Sequence, residues 1–318
     1  MLALWLEAQR LSVRNDIPAP EPPDGESLIR VLCAGICSTD LELTRGYYPY
    51  AGIPGHEFVG IVERGPKALV GKRVVGEINA TCGDCSHCKA GRSSHCSNRT
   101  VLGIVGRNGA FAEYLTLPDR NLHRVPENVS TEAATFTEPL AAALEIQEQV
   151  KVTANDRVLV VGDGRLGQLV AQTMALTGCE LLVLGKGHKK LSLLSARGIE
   201  TGIVGAVEPA ECDIAVECTG NQEGFAIAQK ALRPRGTLVM KSTYTGNLTV
   251  DAAAIVVNEQ TLVGSRCGPF APAIGLLAKG KVEVEPLIHA RYALADGVAA
   301  FEHAKRPEVL KVLFTTMD

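Results

Sequence analysis

The segment 157–167 restricts the possible fold more strongly than any other part of this 318-residue chain. Its first five residues, 157–161, form the short, largely apolar run expected of a strand buried on both faces of a sheet. Gly162, Gly164 and Gly167 follow in the spacing G-x-G-x-x-G, and a helical pattern continues from them. This strand–loop–helix context predicts a dinucleotide-binding loop, with a glycine-rich turn that binds nothing as the alternative.

Each part of such a loop serves the cofactor differently. Gly162 allows the tight turn, Gly164 lets the backbone approach the pyrophosphate, and Gly167 lets the helix pack on the strand. Arg165 and Leu166 begin the helix, where free N–H groups and a partial positive charge favour phosphate. We therefore expect these five residues to form the cofactor site.

Strand and helix patterns alternate after the glycines, with further strands expected at 181–184, 213–217 and 237–240. Alternation of this kind predicts an α/β fold with a doubly wound, parallel sheet, the Rossmann arrangement.

The first half of the chain has a different texture, with Val- and Ile-rich segments punctuated by glycine, which favours β structure. The tail carries prolines and an apolar strand at 309–314, and we assign it to the same domain as the first half. The prediction is a β-rich catalytic domain from residues 1–143 and 267–318, and a nucleotide-binding domain from residues 144–266.

The end of the strand after the glycine-rich loop bears on the choice between NAD and NADP. An NAD enzyme usually has Asp or Glu there, which binds the ribose hydroxyls. This chain has Gly185 followed by Lys186. A glycine beside lysines tolerates a 2′-phosphate that an acid would repel, so NADP is favoured over NAD. A solvated helix start is the alternative interpretation of the lysines.

Four of the ten cysteines crowd into the segment 82–96. Clustered cysteines in an intracellular chain indicate metal binding rather than disulfides. Four thiolates would close a tetrahedral zinc shell and make the zinc structural, whereas free thiols or an iron–sulfur cluster are the alternatives. His87 and His95 are interpreted as solvated loop residues, and the predicted zinc ligands are Cys82, Cys85, Cys88 and Cys96.

Three separate segments offer ligands for a second metal. Cys37 follows Gly-Ile, His56 and Glu57 form a Gly-His-Glu motif, and Glu138 precedes Pro-Leu. A lone cysteine is usually part of the core and a lone glutamate is usually solvated, so each signal is weak alone. Together, in this order, they indicate a second site.

With these motifs the sequence resembles the zinc-containing medium-chain alcohol dehydrogenase family over essentially its whole length. Glu138-Pro-Leu is similar to the branch of sorbitol, threonine and glucose dehydrogenases. The resemblance implies a GroES-like catalytic domain and a catalytic zinc bound by Cys37 and His56, with Glu138 or Glu57 completing the shell. An open fourth position would take water or substrate.

The same resemblance implies further roles. Asp40 would orient His56, and Thr39 would pass the substrate proton toward the cofactor ribose. Many relatives have a histidine where this chain has Glu42, which leaves the exit of that relay open. Thr219 would lie beside the nicotinamide, and Arg266 would face cofactor or substrate, with a structural ion pair as an equal alternative for Arg266.

The predicted function is a zinc-dependent oxidoreductase, with two zinc ions per chain, that transfers a hydride between a small hydroxyl or carbonyl substrate and NAD(P). The substrate would be an alcohol, polyol or sugar; candidate contacts at the mouth are Tyr47, Tyr48, Tyr50 and Phe270. A zinc-free quinone or enone reductase and a non-catalytic nucleotide sensor or structural protein are the alternatives. The resemblance also implies a homodimer or homotetramer.

Composition limits the partners. A net charge of −3 gives no support for nucleic-acid binding, which calls for a basic face. Neither a secretion signal nor an apolar run of membrane-spanning length is evident, so the expected location is the cytoplasm.

Overall fold

The computed structural model describes residues 1–244 and 246–315. These residues form two compact units. The first comprises Met1–Glu138 together with the chain from Phe270 onward, and the second comprises Pro139–Pro269. The units therefore change over at 138/139 and 269/270, a few residues from the predicted 143/144 and 266/267.

Short strands and helices, numbered in chain order, make up the described chain. The strands are β1 (Ala3–Glu7), β2 (Arg10–Arg14), β3 (Glu26–Gly35), β4 (Glu57–Arg64), β5 (Arg73–Gly76), β6 (Asn79–Ala80), β7 (Thr100–Leu102), β8 (Gly106–Arg107), β9 (Tyr114–Pro118), β10 (Leu122–Arg124), β11 (Arg157–Val161), β12 (Glu180–Gly185), β13 (Glu200–Ile203), β14 (Cys212–Glu217), β15 (Leu232–Met240), β16 (Thr261–Gly264), β17 (Ile288–Ala293) and β18 (Lys311–Thr315). The α-helices are α1 (Ser38–Leu43), α2 (Ser86–Lys89), α3 (Thr131–Thr135), α4 (Thr137–Gln149), α5 (Arg165–Ala175), α6 (His188–Ser195), α7 (Gln222–Lys230), α8 (Ala252–Val257), α9 (Phe270–Ala278) and α10 (Gly297–Ala304). Short 3-10 turns lie at Ser93–His95, Asp119–Asn121, Glu285–Leu287 and Leu294–Asp296.

A seven-stranded sheet dominates the first unit. Its order is β10-β5-β4-β3-β18-β17, and β9 also pairs with β3. Strand β3 lies in the middle, and most of its side chains are buried. The C-terminal strand β18 pairs antiparallel with β3, so the tail belongs to the first unit. Phe111 anchors the core with edge-on contacts to Phe301 and Phe314, at ring distances of 5.7 and 4.9 Å.

The second unit is a six-stranded parallel sheet in the order β13-β12-β11-β14-β15-β16. The order reverses beside β11, which has β12 on one side and β14 on the other. Residues 158–161 are all buried, because helices of a parallel sheet cover both of its faces. In open parallel sheets, ligands bind at the carboxyl ends of the strands where the order reverses, here after β11 and β14.

The predicted α/β class is confirmed. Strand β11 coincides with the apolar run 157–161. Strands β13 and β16 were not predicted, because they lie at the two edges of the sheet and their mixed, partly exposed residues lack a clear apolar period. Among the described residues, no helix combines the length and the apolar character that crossing a membrane requires.

Candidate metal centres and dinucleotide site

The sulfur atoms of Cys82, Cys85, Cys88 and Cys96 converge in one loop of the first unit. All four lie within 4.8 Å of one another. The Cys82–Cys96 sulfur distance is 3.4 Å and the Cys85–Cys88 distance is 3.5 Å. Four thiolates on one zinc at about 2.3 Å would be roughly 3.8 Å apart, so the donor set fits a tetrahedral zinc with small adjustments.

Local structure brings the four sulfur atoms together, and backbone donors favour the thiolate form of two of them, Cys85 and Cys96. The short helix α2 starts directly after Cys85 and brings Cys88 back toward it within one turn. N–H groups of Cys88 and Ser97 point at the Cys85 sulfur and lower the pKa of that thiol to about 6. The Cys82 N–H, whose nitrogen is 3.4 Å from the Cys96 sulfur, lowers the pKa of Cys96 in the same way. Backbone dipoles thus stabilise the anionic forms of Cys85 and Cys96, whereas a hydrogen bond with Asp84 raises the pKa of Cys82 to about 12 and burial raises the pKa of Cys88.

A second group of donors lies at the end of the central sheet. The ligand atoms of Cys37, His56 and Glu57 are within 4.8 Å of one another. The sheet explains the convergence, because Gly35 at the end of β3 pairs with Glu57 at the start of β4. Cys37 follows the end of β3 by two residues, and His56 directly precedes β4. His56 and Glu57 are buried, and Cys37 is half-buried.

Asp40 organises this group from the first turn of α1. Its Oδ2 accepts a hydrogen bond from the Cys37 N–H at 2.8 Å, and its Oδ1 accepts one from the Gly55 N–H at 3.2 Å. The same Oδ1 is 3.3 Å from His56 Nδ1, a close contact without the alignment of a hydrogen bond. Nδ1 is therefore turned toward Asp40, which leaves Nε2 for a metal.

The charges around His56 suit a metal ligand. Burial alone would lower its pKa, but the Asp40 carboxylate and the Cys37 thiol outweigh burial and raise the pKa well above the usual value. A buried imidazole beside a carboxylate and a cysteine sulfur is in a site that favours positive charge. Residues of this kind fit a divalent cation with nitrogen, sulfur and oxygen ligands, which describes zinc.

Thr39 and Glu42 lie on the same short helix, α1, in different surroundings. The Thr39 hydroxyl oxygen is 3.8 Å from the Cys37 sulfur, so it borders the donor group. The Glu42 carboxylate accepts a hydrogen bond from Arg45 at 2.6 Å in an ion pair on the surface. Thr39 is thus next to the group of Cys37, His56 and Glu57, whereas Glu42 has Arg45 as its partner, three residues away.

The glycine-rich loop joins β11 to α5, as the sequence predicts. Gly162 adopts a φ of 123°, which side chains rarely tolerate, and its N–H donates to Leu184 O at 2.8 Å. A Cβ on Gly167 would collide with Gly162 O. A Cβ on Gly164 would meet nothing within 4 Å. The protein itself therefore requires two of the glycines, and the open space above the third fits a ligand that approaches the backbone.

The last residue of β14 adds a buried carboxylate to the same edge of the parallel sheet. Glu217 is fully buried and accepts hydrogen bonds from the Thr219 hydroxyl at 2.5 Å and the Tyr244 hydroxyl at 2.5 Å. The backbone carbonyl of Arg266 accepts from Lys241 at 2.6 Å, and the Arg266 side chain is exposed. The position of the Thr219 hydroxyl is thus fixed by its hydrogen bond to the buried Glu217 carboxylate.

Known proteins resemble this chain over nearly its whole length. Residues 23–127 match the family described as alcohol dehydrogenase GroES-like domain. Sorbitol dehydrogenase of Halalkalibacterium halodurans is 30% identical, covering 95% of this chain and 94% of that one. L-threonine 3-dehydrogenase of Streptomyces avermitilis is 33% identical, covering 91% of each.

Solved structures agree with the sequence comparisons. A structure described as a zinc-binding dehydrogenase of Sinorhizobium meliloti, with NADP bound, superimposes with a TM-score of 0.91 at 28% identity, covering 99% of this chain and 98% of that one. An alcohol dehydrogenase of Escherichia coli, with NADH bound, gives a TM-score of 0.90 at 25% identity, covering 99% of each. This chain belongs to the zinc-containing medium-chain alcohol dehydrogenase family. The predicted family, fold class and enzyme class are thereby confirmed.

The sequence offers two glutamates, Glu57 and Glu138, as a third ligand for a catalytic zinc. Glu57 lies with Cys37 and His56, whereas Glu138, in the first turn of α4, is outside that group of close donor atoms among the described residues. The geometry therefore groups Glu57 with the two expected ligands. A part for Glu138 in metal binding stays a prediction.

Lys311 is a residue of the site that sequence reasoning missed. Its Nζ lies 2.5 Å from Glu57 Oε2 and 3.3 Å from Ile36 O, and it sits 5.6 Å from the centre of the Phe136 ring. Only 2% of Lys311 is exposed, so the pair with Glu57 is buried. A single lysine inside the apolar run 309–314 was the available signal, because a lysine is almost never fully buried without a partner.

The aromatic residues expected at the substrate mouth divide into separate groups in the dehydrogenase. Tyr47 and Tyr48 are exposed, while the Tyr50 hydroxyl donates to Ile53 O at 2.6 Å. Tyr48 and Tyr50 line a cavity of about 460 Å³ together with residues 104–108. Phe270 is buried and stacks on a histidine of the first unit at 5.5 Å between ring centres.

Proposed function

We propose that this dehydrogenase transfers a hydride between a small, secondary alcohol, polyol or sugar and a nicotinamide dinucleotide. The observation that carries the proposal is the group formed by half-buried Cys37 with buried His56 and Glu57, with Asp40 beside the histidine. The relatives named for sorbitol and threonine support a small polar hydroxyl substrate. A zinc-free reductase or a non-catalytic protein would not need a buried sulfur–imidazole–carboxylate group.

The first unit would carry both zinc sites and the second unit would bind the dinucleotide. Cys37 and His56, with Glu57 or Glu138, would hold the catalytic zinc, and the four clustered cysteines would hold the structural one. A zinc ion bound at the first set supplies a Lewis acid that lowers the pKa of the substrate hydroxyl.

The residues of the chain then have separable tasks. Asp40 fixes the ring of His56 and the backbone of Cys37, which preserves the geometry of the ligands. Thr39 borders Cys37 and would accept the substrate proton and pass it onward. Lys311 holds the Glu57 carboxylate and balances its charge where both side chains are buried.

The dinucleotide would lie on the loop between β11 and α5. Its pyrophosphate would rest against Gly164 and the N–H groups of Arg165 and Leu166, where the helix dipole favours phosphate. Thr219, anchored by Glu217, would border the nicotinamide. The choice between NAD and NADP depends on the residues at the end of β12. On the sequence alone, Gly185 at that position favours NADP.

Self-association would complete the assembly as a homodimer or homotetramer. Val256 and Val257 are 75% and 79% exposed on α8, and β16 is an edge strand of the parallel sheet with Leu262 also exposed. An edge strand beside apolar side chains is a surface that a second copy would cover. Light scattering on the purified protein measures the mass directly; a monomer at micromolar concentration would refute this part.

The test of the proposed function is an initial-rate screen with zinc-loaded protein. Secondary alcohols, polyols, sugars and threonine are each supplied with NAD and with NADP, and reduced nicotinamide is followed. The zinc content of the same sample is expected to be about two per chain, the sum of one catalytic and one structural site. Zinc at one per chain with no turnover on any substrate would favour the zinc-free or non-catalytic alternatives.

A further inference from the structure

The strand end that distinguishes NAD from NADP lacks a side chain in this dehydrogenase, yet the space beside it is filled. A Cβ built on Gly185 would lie 2.6 Å from Oδ2 of Asp163, and equally close to the Cβ and Cγ atoms of Asp163. Asp163 is the residue between the first two glycines of the dinucleotide loop. A side chain at 185 and the Asp163 carboxylate therefore exclude each other.

The Asp163 carboxylate lies in the space that an aspartate side chain at position 185 would need. In an aspartate the carboxylate oxygens lie roughly 2.4 Å from the Cβ, from ordinary bond lengths and angles. Asp163 Oδ2 is 2.6 Å from the Cβ position at 185, which is nearly the same separation. An acidic group therefore lies about as far from the Cβ position at 185 as the carboxylate of an aspartate there would lie. It is supplied by the loop after β11 rather than by the end of β12.

The Asp163 carboxylate is held in place. Its Oδ2 accepts a hydrogen bond from the Gly187 N–H at 2.7 Å, and its Oδ1 is 3.0 Å from Lys190 Nζ. Only 6% of Asp163 is exposed. Gln168 strengthens the arrangement, because its amide donates to Lys190 O at 2.9 Å and to Asp163 O at 3.3 Å. The acid is therefore preorganised rather than mobile.

Two of the three lysines that follow Gly185, Lys186 and Lys190, already face carboxylates. Lys190 contacts Asp163, and Lys186 Nζ is 2.6 Å from Glu223 Oε2. Each pairing reduces the positive potential that would attract a 2′-phosphate. A carboxylate accepts hydrogen bonds from ribose hydroxyls, whereas it offers a phosphate no donor and repels its charge.

We infer that Asp163 is the residue that selects the cofactor and that this dehydrogenase prefers NAD over NADP. The inference rests on the proposed function, since it requires a nicotinamide dinucleotide on the loop between β11 and α5. Gly185 is then a consequence of Asp163, because the loop carboxylate leaves no room for a side chain at the strand end.

A purely structural part for Asp163, bracing the turn at Gly187, makes a different prediction. Asp163→Asn retains an oxygen acceptor for the Gly187 N–H and nearly the same volume, but removes the negative charge. If the residue only braces the turn, this change leaves the ratio of the two affinities untouched. If it selects the cofactor, the ratio moves toward NADP.

The experiment is calorimetric titration of the zinc-loaded protein with NAD and with NADP. Wild type is expected to bind NAD at least about tenfold more tightly than NADP. Asp163→Asn is expected to reduce the ratio of the two dissociation constants by about tenfold, which is the effect expected of one charge near a phosphate. Glu180→Gln is the matched control, because it removes a surface carboxylate from the opposite end of β12, where Glu180 pairs with Arg157 at 3.2 Å, and it is expected to change the ratio less than twofold. Circular dichroism verifies that each variant is folded.

A relocation variant keeps the inference testable if Asp163→Asn does not fold. Asp163→Gly combined with Gly185→Asp moves the acid back to the strand end, and the NAD preference is expected to persist in that double variant. Tighter binding of NADP by wild type, or an unchanged ratio in Asp163→Asn, would overturn the inference alone. Failure of wild type to bind either dinucleotide would overturn the proposed function, and the inference with it.

Discussion

Replacing Lys311 by methionine removes one half of the buried ion pair with Glu57 and retains most of the side-chain volume. Both residues are almost completely buried, at 2% and 1% exposure, so water cannot solvate the carboxylate that is left behind. Loss of one partner of a buried pair typically costs about 3–5 kcal/mol of folding free energy. Loss of the contact with the Phe136 ring adds to that cost.

The double variant Glu57→Gln with Lys311→Met removes the stranded charge. It is expected to recover most of the loss and to lie within about 2 kcal/mol of wild type, because well-packed neutral groups can replace a buried pair. Wild type, Lys311→Met, Glu57→Gln and the double variant form a double-mutant cycle. Its interaction energy measures how strongly the two side chains are coupled.

Urea unfolding of the first unit is the assay. Trp5, the single tryptophan of the chain, lies on β1 in that unit, so its fluorescence follows the part of the protein that contains the pair. A zinc ion near Glu57 would replace part of the lost positive charge, so the loss in Lys311→Met is expected to be smaller in zinc-loaded protein than in metal-free protein. A loss below about 1 kcal/mol in metal-free Lys311→Met would refute the reasoning, since a surface ion pair would give that value.

Three further perturbations test other parts of the molecule. Cys37→Ser is expected to abolish activity and remove one zinc per chain, measured by metal analysis, while the zinc of the cluster 82–96 remains; loss of both metals together would contradict two independent sites. Gly164→Ala is expected to leave thermal stability unchanged, because the added methyl meets no protein atom. The same methyl would stand where the cofactor would lie, so dinucleotide binding is expected to weaken by about tenfold or more. Gly167→Ala is the matched control, and it is expected to destabilise the fold because its methyl collides with the backbone of Gly162. The Arg157 N–H, followed by the guanidinium of Arg233, lowers the pKa of Asp213, so this carboxylate stabilises the fold above its unfolded pKa near 4 and loses that contribution as pH falls through the lower folded pKa. Asp213→Asn is accordingly expected to cost about 1–2 kcal/mol at pH 7 and much less at pH 3, as measured by unfolding at both pH values; an equal cost at both would show that charge is not involved.

The sequence predicted those features that a local pattern encodes. The glycine spacing after an apolar run located β11, the turn and α5, because one continuous segment contains both the strand and the loop. Cysteines at short intervals identified the sulfur cluster for the same reason. Family resemblance added Cys37 and His56, which lie in separate segments and whose proximity depends on the pairing of β3 with β4.

Features that depend on distant contacts were not predictable in this way. The NADP expectation considered Gly185 at the strand end and the lysines that follow it, whereas the contact that bears on the same choice comes from Asp163, 2.6 Å from where a side chain at 185 would begin. Neither residue attracts notice by itself, because aspartate and glycine are both ordinary residues of turns and loops. Their mutual exclusion becomes visible only when β11 and β12 are aligned in the parallel sheet. Exchanging Gly185 for Asp alone would therefore test crowding rather than charge.

Three neighbouring strands surround the Glu57 side chain, and the middle strand leaves room for it because it ends in a glycine, Gly35. Glu57 starts β4, Lys311 starts β18, and Gly35 ends β3 between them. A Cβ on Gly35 would collide with Glu57 Oε2 and lie 3.3 Å from Cδ of Lys311, so any other residue there would push the two charged side chains apart. The lysine arrives from a strand more than 250 positions later in sequence. Because β18 must pair with β3 before Lys311 can reach the carboxylate, the C-terminal strand controls the charge of the proposed metal site as well as the stability of the sheet.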